Sequence, residues 1–186
     1  MRGEEAYVLF QAVSTGHGGL CTLHADDSAS AIQRLISKPM DVPEAFIPFI
    51  NLAITVRRLT IPVKGGGSRV VRRIISIDEV NGVGDYYPVF TYDPSKDRLQ
   101  ANSFKKSKRL AKLAKDLGTT LPQLEAELGR RSVVLDWMRQ KNLRNFREIT
   151  PMLHSYIEDP AAVYERAKKE TASPASLEAP QAEAKA

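Results

Sequence analysis

The chain has 186 residues, a formal charge of +5 at neutral pH and a single cysteine, Cys21. With 42% hydrophobic residues it can bury one or two cores, and one cysteine excludes an intrachain disulfide. The most apolar window, residues 45–56, is too short for a membrane helix, and the N-terminus has no apolar secretion signal. The positive charge favours an acidic partner, although such an excess is also common on ordinary protein surfaces.

The first forty residues predict a helix, a strand and a second helix. Residues 4–14 place an apolar stripe on one helical face, and Gly16 is a natural stop for that helix. Leu20–His24 is short and apolar, which predicts a strand. A second helix is expected to begin with Ser28 as its cap and to end before Pro39.

The rest of the chain separates into a β region, a helical region and a tail. Residues 51–100 contain runs of branched residues, with a hairpin loop predicted at 64–68 and a second turn at 93–97. Residues 103–168 show the apolar spacing of helices. Residues 169–186 are rich in Ala, Pro and Glu and have little to bury, so we expect a disordered tail.

His17, Cys21 and His24 have the residue types and spacing of a metal site, but strand geometry argues against one. Side chains alternate across a strand, so Cys21 and His24 would point to opposite faces. We therefore predict no metal site, and we expect Cys21 to be a small buried apolar residue.

The sequence contains no phosphate-binding loop of the form G-x-x-x-x-G-K-[ST]. The Lys-Gly-Gly-Gly-Ser sequence has its lysine before the glycines, and the Gly-His-Gly-Gly sequence has no lysine. Taken alone, this sequence offers no cradle for a nucleotide triphosphate.

Residues 2–35 resemble the secretion ATPases of type II secretion, type IV pili and archaella. In that family a helix follows the Walker B strand and leads to a histidine box, Thr-Gly-His followed by Thr-x-His-Ala. The matching residues here are Thr15–His17 and Thr22–Ala25. The helical sequence at 128–149 looks most like the archaeal branch, and the resemblance extends more weakly to residue 168.

The resemblance implies a fold of the α/β class. Residues 1–102 would form a partial RecA-like core with histidine box and a β-ribbon extension, and residues 103–168 would form an α-helical C-terminal domain. The tail at 169–186 would follow.

The resemblance also implies roles for individual residues. Thr22 and His24 would sense the γ-phosphate of ATP, and Arg2 and His17 would lie near the nucleotide. A histidine in this position can donate a hydrogen bond to a phosphate oxygen or hold the attacking water. The alternative is that either histidine only caps backbone groups.

In the family, the Walker A loop, the aspartate-box carboxylates and the catalytic glutamate all precede the position of Met1. We therefore expect this chain to be the C-terminal part of a hexameric secretion ATPase and to be inactive alone. The complete protein would use ATP and Mg²⁺, whereas no cofactor is expected for the isolated chain.

The resemblance further implies partners and a location. The chain would work with an upstream ATPase half or with neighbouring subunits of the hexamer. The assembly would be cytoplasmic and peripherally associated with the membrane, where it contacts a platform protein. Its activity would power archaeal pilus or archaellum assembly, or type II/IV secretion.

A basic helix-turn-helix protein that binds nucleic acid is the alternative function. Two amphipathic helices are predicted on either side of Leu117–Thr120, and residues 103–150 contain twelve Lys or Arg against five Asp or Glu. The same residues could also form a solvated basic face or a subunit contact.

Overall fold

A computed structural model describes residues 4–63 and 65–171 of the chain. The protein is α/β, with a four-stranded antiparallel sheet and several helices. It divides into two compact units, and the boundary falls between Leu121 and Pro122. We call the first the sheet unit and the second the helical unit, and describe each by itself.

Two helices open the sheet unit, as the sequence predicts. Helix α1 is Glu4–Ser14 and helix α2 is Ser28–Ile36. The cap of α2 is Asp27 and not Ser28 as expected, because the Asp27 carboxylate accepts a hydrogen bond of 2.8 Å from the backbone N–H of Ser30. The buried Ser28 hydroxyl instead donates to Asp78 of the sheet.

The predicted strand at Leu20–His24 is wrong, since residues 17–25 have no regular secondary structure. A strand needs a neighbour for its backbone hydrogen bonds, and no described strand pairs with this segment. Cys21 is exposed, so the expectation that it is buried is also wrong, because its side chain lines an open groove.

The apolar window at 45–56 belongs to two elements. Residues Glu44–Ile50 form a short 3₁₀ helix, and the remaining residues begin the first strand. Ile47 is fully buried in the core of the unit. That core also contains apolar side chains from the two helices, from the segment between α2 and the 3₁₀ helix, and from the sheet: Ala6, Phe10, Ile32, Leu35, Met40, Val42 and Val80.

The β prediction for residues 51–100 is confirmed. The strands are β1 Leu52–Pro62, β2 Ser68–Gly82, β3 Asp85–Asp93 and β4 Arg98–Ala101, and each pairs antiparallel with the next in the order β1-β2-β3-β4. The β1–β2 hairpin closes at the predicted loop, where three successive glycines, 65–67, have φ of +99°, +102° and +85°. Side chains are strained at such angles, so glycine is required there.

The segment after the sheet remains attached to it, and the sheet unit therefore extends past the expected boundary at residue 102. Glu79 of β2 is 1% exposed and accepts hydrogen bonds from the Ser107 hydroxyl (2.5 Å) and the Arg109 backbone N–H (2.9 Å). These groups lie at the start of helix α3, Lys108–Asp116. A buried sheet carboxylate thus fixes the N-terminus of α3.

The helical unit contains the remaining helices, α4 Leu121–Gln140, α5 Phe146–Glu158 and α6 Pro160–Thr171. Pro122 lies in the first turn of α4, where its missing N–H is harmless. The core surrounds Trp137, which is 2% exposed, and includes Val134, Met138, Tyr156, Val163 and Ala167.

The tail predicted to begin at residue 169 begins too early, because α6 continues through residues 169–171. Glu170 accepts hydrogen bonds from the Trp137 indole N–H (3.1 Å) and from Arg166 (2.9 Å), and Lys141 lies 2.9 Å from it. This carboxylate connects α6 to α4. Residues 172–186 lie outside the described part of the chain. Among the described residues no helix is long and apolar enough to cross a membrane.

Candidate functional site

The C-terminal end of α1 positions His17. Gly16 adopts φ of +96° and turns the chain back, so that the His17 ring Nδ1 lies 3.1 Å from the carbonyl oxygen of Ala12 and 3.1 Å from the Thr15 hydroxyl. The Thr15 hydroxyl itself donates to the Ala12 carbonyl at 2.8 Å. His17 therefore caps the last turn of α1, which is the backbone-capping alternative left open for the histidines.

The roles of the His17 ring nitrogens depend on its tautomer. The Nδ1–H tautomer donates to the Ala12 carbonyl, which can only accept, and it leaves Nε2 as an acceptor on an exposed ring.

Two arginines hold the backbone next to His24. The guanidinium of Arg34 in α2 donates to the carbonyl oxygen of His24 at 2.9 Å, and that of Arg57 in β1 donates to the carbonyl of Asp26 at 2.8 Å. These contacts lie on either side of Ala25. The segment is therefore anchored at its C-terminal end although it belongs to no strand.

His24 and Thr22 face different surroundings. His24 lines an open depression with Asp26, Ser30 and Arg34. Thr22 lines a separate groove whose other walls are mainly apolar side chains of α1, α2 and β1, among them Phe10, Leu35, Ile54 and Val56. The structure therefore does not bring Thr22 and His24 to one face, as an alternating strand would.

The depression around His24 has mixed charge. The Arg34 guanidinium and the exposed His24 ring are donors suited to an oxyanion, whereas Asp26 contributes a carboxylate. Nearby, the Ser30 backbone and hydroxyl lower the pKa of Asp27, which keeps this cap charged at neutral pH. The site can thus contact an anion from the His24 and Arg34 side.

Arg2 lies outside the described residues. Within the described part of the chain, no three His, Cys, Asp or Glu residues come together to hold a metal ion. The residues that sequence reasoning missed are Arg34 and Arg57. Their charge was visible in the sequence, but their acceptors are backbone carbonyls 10 and 31 residues away, which no local pattern indicates.

The helix pair suggested as a helix-turn-helix is present as α3 and α4, joined by residues 117–120. Because α3 belongs to the sheet unit and α4 belongs almost entirely to the helical unit, no single compact unit contains both helices. Nucleic-acid binding by this pair stays a prediction.

A comparison with protein families identifies the part of the chain that carries the histidines. Residues 1–47 match the family "Type II/IV secretion system protein". The matched region includes α1, the histidine segment and α2. The sequence resemblance to secretion ATPases is confirmed at this level.

Two relatives from Methanocaldococcus jannaschii extend the similarity beyond that region. Uncharacterized protein MJ0900 is 31% identical over 172 residues, which cover 85% of this chain and 29% of the relative. Uncharacterized protein MJ1287 is 32% identical over 169 residues, which cover 85% of this chain and 58% of the relative. The chain thus spans less than two thirds of each of these relatives.

Proposed function

We propose that this chain forms the histidine-bearing part of an ATP-driven motor for type II/IV secretion or for pilus or archaellum assembly, in the archaeal branch of that family. The observation that carries the proposal is the family match over residues 1–47, which contains the whole Thr15–Ala25 motif. The similarity to longer M. jannaschii proteins over 85% of the chain agrees with it.

In this proposal the sheet unit is part of a RecA-like core, and the histidine segment becomes a strand when the rest of the core is beside it. Leu20 is completely exposed, at 102%, which is unusual for a leucine within an apolar run. The groove beside the segment follows the outer edge of β1, where a strand can add through backbone hydrogen bonds.

The proposed roles follow from that placement. His24, already exposed and anchored through its carbonyl by Arg34, contacts the γ-phosphate of ATP or the attacking water. Thr22 comes to the same side once the segment alternates as a strand. His17 and Arg2 lie near the nucleotide, and the cap on α1 orients the glycine turn that carries His17.

ATP and Mg²⁺ are the cofactors of the complete motor, and the phosphate-binding loop and the carboxylates that hold them come from the remainder of the ATPase. The motor is a hexameric ring in which this chain contacts the ATPase half and neighbouring subunits. It acts at the cytoplasmic face of the membrane through a platform protein. The chain alone is expected to hydrolyse no ATP above background.

The test is ATP turnover by the complete assembly, meaning this chain together with the segment that supplies the phosphate-binding loop. His24→Ala is expected to lower turnover by roughly 100-fold or more, since it removes a group acting on the reacting phosphate. The matched control is His154→Ala, on the exposed surface of α5 in the helical unit, which should leave turnover nearly unchanged. Turnover by the chain alone, or no effect of His24→Ala, would contradict the proposal.

A further inference from the structure

The β1–β2 ribbon carries two pairs of opposed arginines. In its register Arg57 lies opposite Arg73 and Arg58 lies opposite Arg72. Successive side chains point to opposite faces, so each face of the ribbon has one arginine pair. Like charges directly opposite one another in a ladder are destabilising unless an anion lies near them.

The first pair has acceptors within the protein. Arg73 forms a bidentate ion pair with Asp97, with both N–O distances 2.7 Å, and Arg57 donates to the carbonyl of Asp26. The bond from Arg73, assisted by the Tyr92 hydroxyl, holds the pKa of Asp97 well below its usual range. The Asp97 carboxylate therefore compensates the charge of Arg73, and the Arg57 guanidinium has a backbone acceptor.

The second pair has no such compensation. Arg58 and Arg72 are exposed, and neither forms an ion pair with any carboxylate in the described part of the chain. The sequence from residue 56 to residue 74 contains no Asp or Glu, so the part of the ribbon around this pair supplies no anion.

Apolar side chains lie on both sides of this second pair. Val56 lies opposite Ile74 in one neighbouring row, and Thr60 lies opposite Val70 in the other. Val56 and Val70 are more than half exposed, at 57% and 54%, and Ile74 is 39% exposed. We call this surface the outer ribbon face: Val56, Arg58, Thr60, Val70, Arg72 and Ile74.

We propose that the outer ribbon face docks an acidic segment of a partner protein. Two carboxylates of that segment pair with Arg58 and Arg72, and its apolar side chains cover Val56, Val70 and Ile74. Arginine binds carboxylates through parallel hydrogen bonds, and it is enriched among the residues that contribute most of the binding energy at protein interfaces. This docking does not depend on the proposed ATPase function.

The pattern of the face favours a protein over other anions. A nucleic-acid strand would need cations that recur along the ribbon and aromatic rings for stacking, but the face has one arginine row and the ribbon sequence has no aromatic residue. A second copy of the same face would bring arginine against arginine, which repels.

The test measures binding of a labelled peptide that alternates valine with glutamate, using fluorescence anisotropy and the full chain. Arg58→Glu is expected to weaken binding by roughly tenfold or more, because it replaces an attractive charge pair with a repulsive one. The matched control is Arg69→Glu, which makes the same charge change on the opposite face of the ribbon and should weaken binding by less than about twofold.

A second variant separates docking from folding. Arg58→Gln with Arg72→Gln should also abolish peptide binding while the circular dichroism spectrum is retained, since the substitution relieves repulsion on an exposed face. Equal loss of peptide binding in Arg58→Glu and Arg69→Glu would overturn the proposal, because it would show only general charge attraction. Arginine-dependent binding of a DNA duplex or of phosphatidylserine vesicles, with no binding of the peptide, would overturn it as well.

Discussion

The histidine segment, residues 17–26, and the helical unit, residues 122–171, differ in where their stabilising contacts come from. In the helical unit Trp137 is 2% exposed and its indole N–H has a partner in Glu170 of the same unit. In the histidine segment Leu20 is completely exposed, and the backbone at its end is held by two arginine side chains.

This difference shows what each region requires of the rest of the protein. A helix forms its hydrogen bonds within itself, so three helices with apolar faces can complete a core of their own. An apolar strand has unpaired backbone groups on both sides until a neighbour is present. The helical unit has an apolar core of its own, whereas in the proposed function the histidine segment is completed by another part of a larger protein.

The largest expected effect on stability tests the core of the helical unit. Trp137→Ala should destabilise this unit by about 3–5 kcal/mol, since it removes a large buried side chain and leaves a cavity. Leu135→Ala, on the same helix but at a side chain that is 57% exposed, is the matched control and should cost under about 1 kcal/mol. Denaturant unfolding of both variants measures this, and equal losses would contradict the assigned core.

A smaller effect is expected at the buried carboxylate of the sheet unit. Glu79→Ala leaves the Ser107 hydroxyl and the Arg109 backbone N–H without their acceptor, which should cost about 1–3 kcal/mol. The control is Glu44→Ala, which changes an exposed glutamate of the same unit. If both variants unfold at the same denaturant concentration, Glu79 does not fix α3.

The pH dependence of the helical unit should show the contribution of Glu170. Hydrogen bonds from Lys141, Arg166 and Trp137 lower its pKa from an ordinary 4.5 to about 2. The folded state therefore favours the charged carboxylate, and this stabilisation is present above about pH 4.5 and is lost as the pH falls toward 2.

Thermal unfolding between pH 2 and 5 measures this contribution. Glu170→Gln should flatten the pH dependence, and Glu158→Gln, at an exposed residue of the same unit, should leave it as in the wild type. Parallel profiles for Glu170→Gln and the wild type would show that this carboxylate does not connect α6 to α4.

The smallest effect on global stability is expected from the anchor of the histidine segment. Arg34→Ala removes one exposed hydrogen bond to the His24 carbonyl, so the free energy of unfolding should change by less than about 0.5 kcal/mol. Cleavage by chymotrypsin next to Leu23 should nevertheless become faster, because the backbone opens more easily there. Gln33→Ala on the same helix is the control, and equal cleavage rates in the two variants would contradict the anchoring role.

The sequence was sufficient to predict elements whose signals are local. The apolar stripe of α1, the glycine hairpin loop and the Asp-Pro turn after β3 specify their own geometry, and the structure has each of them. Partners distant in sequence could not be predicted. No sequence signal near Glu79 indicates that its carboxylate accepts a hydrogen bond from Ser107. Likewise, no signal near Glu170 indicates its hydrogen bond from the Trp137 indole N–H.

The prediction at Leu20–His24 failed for a related reason. Its composition is that of a strand, but a strand forms only with a neighbour, and the alternation argument for Thr22 and His24 depended on that pairing. His17 shows the reverse case. Its motif predicted a place near the nucleotide, whereas the ring also has a structural partner in the Ala12 carbonyl that the motif did not reveal.

Hydrogen exchange at residues 18–25 tests most directly the proposal that the histidine segment is completed by another part of a larger ATPase. In the isolated chain we expect these amides to exchange rapidly, while the amide of Val134 in α4 stays protected. In the complete assembly they should slow by roughly 100-fold, which corresponds to about 3 kcal/mol of protection, because a strand ladder then holds them. Strong protection already in the isolated chain, or rapid exchange that persists in the assembly, would contradict the account.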